Sequence, residues 1–308
     1  MKNSILSLIL FIATAVNGQV TDFKSTDHDI NEFIKGTLVT PATDGPVPLV
    51  LMLQGSGPTD RNGNQSFMKN DAFKKLAHAL AKEGIATYRY DKRIFQVQKL
   101  GIQEQDMRFD DFVIDAVTAI EHFTSNPQFT KIVVLGHSQG SLVGMLAAKG
   151  RAQGFISIAG LAQPIDAVLT EQITSQMPGL KENVEQAFSE MRAIGSTSSY
   201  NPVLESIFRP SVQPFILSWM HYDPKEEIKK LDIPVLLING SNDLQVKETE
   251  AENLQKAYPQ AEIVILKNMN HILREIEGDN LVNSKSYNEP GLPLHPELVK
   301  PLVEFIKK

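Results

Sequence analysis

The chain has 308 residues, of which 42% are hydrophobic and 21% are charged, an ordinary composition for a globular protein. This length suffices for one large α/β domain or for two smaller domains. The formal net charge of −6 at pH 7 argues against a nucleic-acid-binding protein, which would present a basic face. Because the sequence contains no cysteine, it excludes disulfides, thiol nucleophiles and cysteine metal sites.

Residues 1–18 have the pattern of a signal peptide. Lys2 is their only charged residue, residues 5–15 are predominantly apolar, and small residues precede Gln19. Spanning a bilayer needs about 20 apolar residues, so this stretch is too short to be a comfortable anchor. We predict cleavage after Gly18 and export to the periplasm or the medium. A buried or frayed N-terminal helix is the alternative, and no later segment is apolar enough to cross a membrane.

After the signal peptide, apolar runs that suit buried strands alternate with segments of helical periodicity. The predicted strands are 33–39, 49–54, 86–90, 132–135, 154–159, 235–239 and 262–266. The predicted helices are 67–83, 110–124, 138–149, 247–257 and 296–307. The alternation predicts a single α/β domain over residues 19–308, built on a mostly parallel sheet flanked by helices.

Residues 161–231 interrupt this alternation because they contain no convincing strand. Segment 163–194 has helical character apart from a break at Pro178 and Gly179, and 210–220 is another candidate helix. We interpret 161–231 as a helical cap inserted after one strand of the sheet. Such a cap is expected to cover a pocket and to select the substrate.

The residues Gly136, His137, Ser138, Gln139 and Gly140 join a predicted strand to a predicted helix and match the G-x-S-x-G motif of a nucleophile elbow. Glycine is favoured two residues before and after the serine, because side chains there would collide with the neighbouring strand and helix. The helix that follows directs its positive end at a developing oxyanion. Ser138 is therefore the predicted nucleophile, and His137 is expected to be structural.

A serine nucleophile needs a base, and the base needs an orienting acid. Asp243 follows the predicted strand 235–239, and His271 follows the predicted strand 262–266, in the chain order serine, acid, histidine. We predict that Asp243 is the acid and His271 the base. Their alternative roles are a turn or helix cap and an ordinary loop histidine. Glu250, on the next helix, is expected to be a solvated charge.

Acyl transfer also needs hydrogen-bond donors for an oxyanion. One predicted donor is the backbone N–H of Gln139, the residue after the nucleophile. The second is assigned to the backbone N–H of Ser56, because the small residues of the loop 54–64 let the backbone turn toward the site. A plain glycine–proline turn is the alternative, and a dinucleotide-binding loop is rejected because no G-x-G-x-x-G is completed.

Taken in chain order, these motifs resemble the α/β-hydrolase superfamily from about residue 33 onwards. More closely, residues 54–61 (QGSGPTDR) and 90–93 (YDKR) resemble the bacterial esterases that are grouped with serine-aminopeptidase-like hydrolases. The resemblance implies the α/β-hydrolase fold and a carboxylesterase that acts on a small-molecule ester with a short acyl chain. It implies no cofactor and no metal, and it gives the same roles to the nucleophile, acid, base and two donors named above.

Two positions depart from the pattern of these relatives. Gln54 stands where they usually have histidine, and Arg93-Ile94 stands where they tend to have glycine. Four charged residues near the motifs form either an ion-pair network at the mouth of the site or ordinary surface charges: Asp60, Arg61, Asp91 and Arg93.

Three other functions are compatible with parts of this pattern. A peptidase or amidase would use the same triad, although no β repeat that would gate peptides is present. A non-catalytic binding protein on a hydrolase scaffold would lack a triad member, and none is missing. A dehalogenase is disfavoured because Ser138 occupies the position where aspartate is expected. The sequence carries no signal of oligomeric state.

Overall fold

Eight strands form one sheet in the computed structural model, which describes residues 22–97 and 99–308. The predicted signal peptide, residues 1–18, lies outside the described residues. The strands are β1 (Phe23–Asp29), β2 (Lys35–Pro41), β3 (Val47–Leu53), β4 (Ala86–Tyr90), β5 (Phe129–His137), β6 (Gly154–Ile158), β7 (Val235–Gly240) and β8 (Glu262–Leu266).

The order of strands across the sheet is β1-β2-β4-β3-β5-β6-β7-β8. All neighbours from β4 to β8 pair in parallel, whereas β1 and β2 add an antiparallel edge. The mostly parallel sheet is confirmed. Strand β1 was not predicted, because its sequence FKSTDHD is polar and its side chains are largely exposed at the edge of the sheet.

Helices cover both faces of the sheet. They are α1 (Ala72–Lys82), α2 (Ile94–Val97), α3 (Asp110–Thr124), α4 (Gln139–Ala148), α5 (Ile165–Gln176), α6 (Lys181–Ile194), α7 (Glu205–Phe208), α8 (Gln213–Trp219), α9 (Pro224–Ile228), α10 (Glu248–Ala257), α11 (Asn280–Ser286) and α12 (Val299–Lys307). Within the described ranges, none of them has the length and apolarity needed to cross a bilayer. Helix α1 begins later than predicted because Asp71, with a φ of 53°, interrupts the helical backbone just before it.

Two apolar layers hold the helices to the sheet. One layer lies under α3 and α4 and includes Phe123 and Phe155, and the other lies under α1 and α12 and includes Leu76 and Phe305. The strands β3, β5, β7 and β8 are parallel, so their carboxyl ends reach the same edge of the sheet. The loops that follow these four strands therefore meet at that edge, where sites form in open α/β sheets.

In the chain, helices α5 to α9 follow β6 and precede β7, and they account for most of residues 161–231. This segment packs on the start of α3. The Phe109 ring stacks on the Trp219 ring with centroids 5.2 Å apart and an interplanar angle of 8°. The Phe109 N–H also donates to Ser218 Oγ at 2.8 Å. The aromatic contact thus fixes the helical segment over one side of the sheet.

Glu250 is buried, so the expectation of a solvated charge was wrong. Its Oε2 accepts a hydrogen bond of 2.6 Å from the Ala162 N–H, and its Oε1 accepts one of 3.0 Å from Gln163 Nε2. A carboxylate of α10 therefore anchors the chain where the helical segment begins. This contact joins residues 88 positions apart, which the local charge pattern of α10 does not reveal.

Candidate active site

Ser138 lies in a strained turn between β5 and α4. Its backbone has a φ of 53° and a ψ of −121°, a conformation that costs a residue with a side chain about 1–3 kcal/mol. Its N–H donates to Ile158 O at 2.9 Å on the neighbouring strand. The surrounding fold therefore holds the serine in an unfavourable conformation.

The two glycines of the motif permit this turn for steric reasons. A Cβ on Gly136 would overlap the backbone carbonyl of Gly140, and a Cβ on Gly140 would overlap the backbone carbonyl of Leu53 at the end of β3. Both obstacles are backbone atoms, which cannot swing aside as a side chain can. Helix α4 therefore comes this close to β3 only because glycine occupies these positions.

Asp243 and His271 are joined by a hydrogen bond of 2.7 Å between Asp243 Oδ2 and His271 Nδ1. The other oxygen, Asp243 Oδ1, accepts from the backbone N–H groups of Gln245 at 2.8 Å and Val246 at 2.9 Å. Burial raises the pKa of Asp243, but the charge and hydrogen bond of His271 and these two amides outweigh it, so the pKa lies below its usual value. A neutral imidazole that donates from Nδ1 to a carboxylate carries no proton on Nε2.

His137 links the histidine loop to the strand that carries Ser138. Its Nε2–H donates to the backbone carbonyl of His271 at 2.8 Å, and the two rings lie 4.5 Å apart between centroids. Burial, with a smaller contribution from His271, lowers the pKa of His137 to about 3, so the ring stays neutral. The structure thus places His271 against His137, the residue directly before Ser138 in the chain. Within the described residues the Ser138 hydroxyl makes no direct hydrogen bond to His271.

The loop after β3 packs directly against the serine. A Cβ on Gly55 would lie 3.2 Å from the Ser138 Cβ, so this backbone passes close to the hydroxyl. The backbone N–H groups of Ser56 and Gln139 have no acceptor in the described part of the chain. Both are therefore available to a ligand. Gln54, at the position where relatives have histidine, donates from Nε2 to the Tyr90 carbonyl.

No motif in the sequence predicts a role for Lys92, which lies within the segment 90–93. Its side chain is buried beneath the loop after β3 and beside the start of α4. Burial lowers the pKa of Lys92 to about 7. The only sequence signal is its position two residues after a fully buried strand, and a buried lysine is itself unusual.

The charged residues near the motifs do not form a single network. Arg61 binds Asp91 at 2.7 Å, whereas Arg93 binds Asp115 of α3 at 2.6 Å. Asp60 accepts from backbone N–H groups of its own turn at 2.8 and 2.9 Å. Two separate ion pairs therefore brace the loops after β3 and β4.

A cavity of about 310 Å³ adjoins His271. Its walls come mainly from residues 54–73 and from residues 271–287, including Tyr287. Among the described residues that line it, none belongs to 161–231. The segment packs on the start of α3, and Gln172 Nε2 donates to the Gln245 carbonyl at 3.4 Å in the loop after β7. That it forms a cap over a substrate pocket stays a prediction.

Comparisons with known proteins agree with this architecture. The family model described as Serine aminopeptidase, S33, matches residues 69–277. Esterase EstD of Thermotoga maritima is 30% identical over 272 residues, covering 83% of this chain and 61% of EstD. The chain therefore spans about three fifths of the length of that relative.

Solved structures share the fold at low sequence identity. Est1E from Butyrivibrio proteoclasticus, with ferulic acid bound, is 17% identical with a TM-score of 0.57, over 89% of this chain and 97% of that chain. Dienelactone hydrolase from Anabaena variabilis is also 17% identical, with a TM-score of 0.51, over 92% of this chain and 97% of that chain. The predicted α/β-hydrolase fold is confirmed.

Gly140→Ala should destabilise the protein by about 3 kcal/mol or more, because its methyl group meets the immovable Leu53 carbonyl. Gly179→Ala is the matched control, since nothing lies within 4 Å of a Cβ there. Urea unfolding of the two variants and the wild type measures the difference. Equal stability of Gly140→Ala and Gly179→Ala would contradict the close approach of α4 to β3.

Proposed function

The chain belongs to the serine aminopeptidase S33 family of α/β-hydrolases, and we propose that it cleaves carboxylic esters of small molecules through a serine nucleophile. The observation that carries this proposal is the strained Ser138, whose chain neighbour His137 contacts the buried Asp243–His271 pair. The similarity to Esterase EstD favours an ester as the substrate. The cavity of about 310 Å³ beside His271 suits a small substrate.

In the first step, Ser138 Oγ attacks the ester carbonyl while His271 Nε2 accepts the hydroxyl proton. Asp243 holds the imidazole in the tautomer that leaves Nε2 free, and it stabilises the imidazolium that forms. The backbone N–H groups of Ser56 and Gln139 donate to the tetrahedral oxyanion. His271 then protonates the departing alcohol, which leaves Ser138 acylated.

In the second step, water attacks the acyl group on Ser138. His271 removes a proton from the water and later returns it to Ser138 Oγ, which releases the carboxylic acid. The same two N–H groups stabilise the second oxyanion. Two similar attacks at one carbonyl position explain why a single pair of donors serves both steps.

Ser138→Ala should fold normally and lose ester hydrolysis, because it removes the nucleophile and leaves the histidine pair intact. p-Nitrophenyl acetate measures hydrolysis, circular dichroism measures folding, and a fluorophosphonate probe followed by peptide mapping identifies the reactive residue. Ser141→Ala is the control, since Ser141 lies buried in α4 with its hydroxyl bound to Ser157. Activity in Ser138→Ala, or a probe attached elsewhere, would refute the nucleophile assignment.

Amide hydrolysis is the second candidate function, because the matched family is described as a serine aminopeptidase and because amide cleavage would use the same serine, histidine and aspartate. We expect hydrolysis of p-nitrophenyl acetate to exceed that of alanine p-nitroanilide at equal concentration, given the similarity to an esterase. A preference for the anilide would replace the esterase by a peptidase. Varying the acyl length of the nitrophenyl esters then measures how much of the cavity the acyl group fills.

We also propose that the protein is exported, on the basis of Lys2 and the apolar stretch that follows it in residues 1–18. Expression in a bacterial host and amino-terminal sequencing of the periplasmic fraction test this proposal. The mature protein is expected to begin at Gln19. A protein that begins at Met1 and remains in the cytoplasm would refute it.

A further inference from the structure

We infer that Lys92 is a positioning residue of the oxyanion hole, whose ammonium group fixes the Ser56 N–H and the first turn of α4 relative to each other. This inference rests on the proposed function, because it concerns the donors of the same site. Lys92 lies beneath these donors and lines no part of the cavity beside His271. It therefore acts through the backbone and not on the substrate.

The ammonium group of Lys92 has three hydrogen-bond partners. Nζ donates to Gly55 O at 2.7 Å, to Gly57 O at 3.3 Å and to the side-chain Oε1 of Gln139 at 2.6 Å. A protonated lysine carries three N–H donors and no acceptor, so these three acceptors match its capacity. Two of the partners belong to the loop after β3 and one to α4. One cation thus joins the two segments that supply the proposed oxyanion donors.

The hydrogen bond to Gly55 O determines where the Ser56 N–H points. These two groups belong to the same peptide unit, which is trans, since the described chain contains no cis peptide bond. In a planar trans peptide the C=O and N–H groups point in opposite directions. When Lys92 draws the Gly55 carbonyl inward, the Ser56 N–H is turned outward. Ser56 lines the cavity that adjoins His271, so outward is toward the proposed substrate.

Fold stability does not account for a lysine at this position. Lys92 is 6% exposed and makes no ion pair within the described residues. The nearby Asp115 is bound by Arg93, and the Phe112 ring covers Nζ at 4.6 Å from its centroid. A buried cation without a carboxylate is costly compared with an apolar side chain of similar size. Its presence here fits a role in positioning the backbone of the site.

The first test replaces Lys92 by methionine, which has similar length and no charge. We expect kcat for p-nitrophenyl acetate to fall about 10- to 100-fold with KM within about threefold, because the donors are displaced and not deleted. Lys74→Met is the matched control, since Lys74 is exposed on α1. A kcat equal to that of Lys74→Met would overturn the inference. Folding is checked by circular dichroism, so that kcat refers to folded protein.

The second test restores the charge chemically. The chain has no cysteine, so Lys92→Cys introduces the only thiol. Alkylation in urea with 2-bromoethylamine rebuilds a lysine-like ammonium after refolding, whereas 1-iodopropane adds a neutral chain of the same length. We expect the aminoethylated protein to regain kcat to within about fivefold of refolded wild type, and the propylated one to stay near Lys92→Met. Equal kcat in the two alkylated proteins would overturn the inference.

If Lys92→Met does not fold, Gln139→Met decides the question. It keeps the backbone donor and removes one of the three acceptors of Nζ, so kcat should fall about three- to tenfold at unchanged KM. An unchanged kcat would overturn the positioning role of Lys92.

The wild-type protein separates the two proposals. Absence of ester hydrolysis and of fluorophosphonate labelling of Ser138 would refute the proposed function itself. An active wild type with an unaffected Lys92→Met refutes only the role of Lys92.

Discussion

The close approach of α4 to the end of β3 is the constraint on which the site depends. Gly140 has no Cβ, so its backbone rests against the Leu53 carbonyl, and Ser138, two residues earlier, has a positive φ. The loop after β3 lies alongside the serine, where a Cβ on Gly55 would lie 3.2 Å from the Ser138 Cβ. The proposed nucleophile and the proposed oxyanion donors are thus placed next to this packing contact between neighbouring backbones.

The two buried ionisable side chains near the site, Asp243 and Lys92, have different hydrogen-bond partners. Asp243 keeps a low pKa because His271 and two backbone amides offset the cost of burial. Lys92 has no carboxylate, and carbonyl and amide oxygens alone satisfy it. His137 stays neutral and ties the histidine loop to β5. Backbone groups therefore help to hold both side chains, two N–H groups at Asp243 and two carbonyls at Lys92.

The features that could be predicted from the sequence are those that depend on short, local patterns of residues. The elbow at Ser138 combines a motif with a strand and a helix, and Asp243 and His271 follow strands whose carboxyl ends must share one edge of a parallel sheet. Other features depend on contacts between distant residues. Strand β1 is polar because it lies at the edge of the sheet. The Glu250 carboxylate is buried where it binds the Ala162 N–H, 88 residues earlier in the chain. The Lys92 side chain is buried under a loop about 35 residues earlier in the chain. Composition near these residues does not reveal such partners.

The position of the cavity has a consequence for specificity. One of its walls is the segment that begins at His271, and Leu273 in that wall has a φ of 66°, an unusual conformation for a bulky residue. The backbone there is fixed on both sides, since the Leu273 N–H donates to Asn270 O at 3.0 Å and the Leu273 carbonyl accepts from the His295 N–H at 2.8 Å. The residue that provides the proposed base and this wall of the cavity therefore belong to one hydrogen-bonded segment. Because this wall and the proposed base follow each other in the chain, the substrate surface and the imidazole are positioned by the same hydrogen-bonded segment.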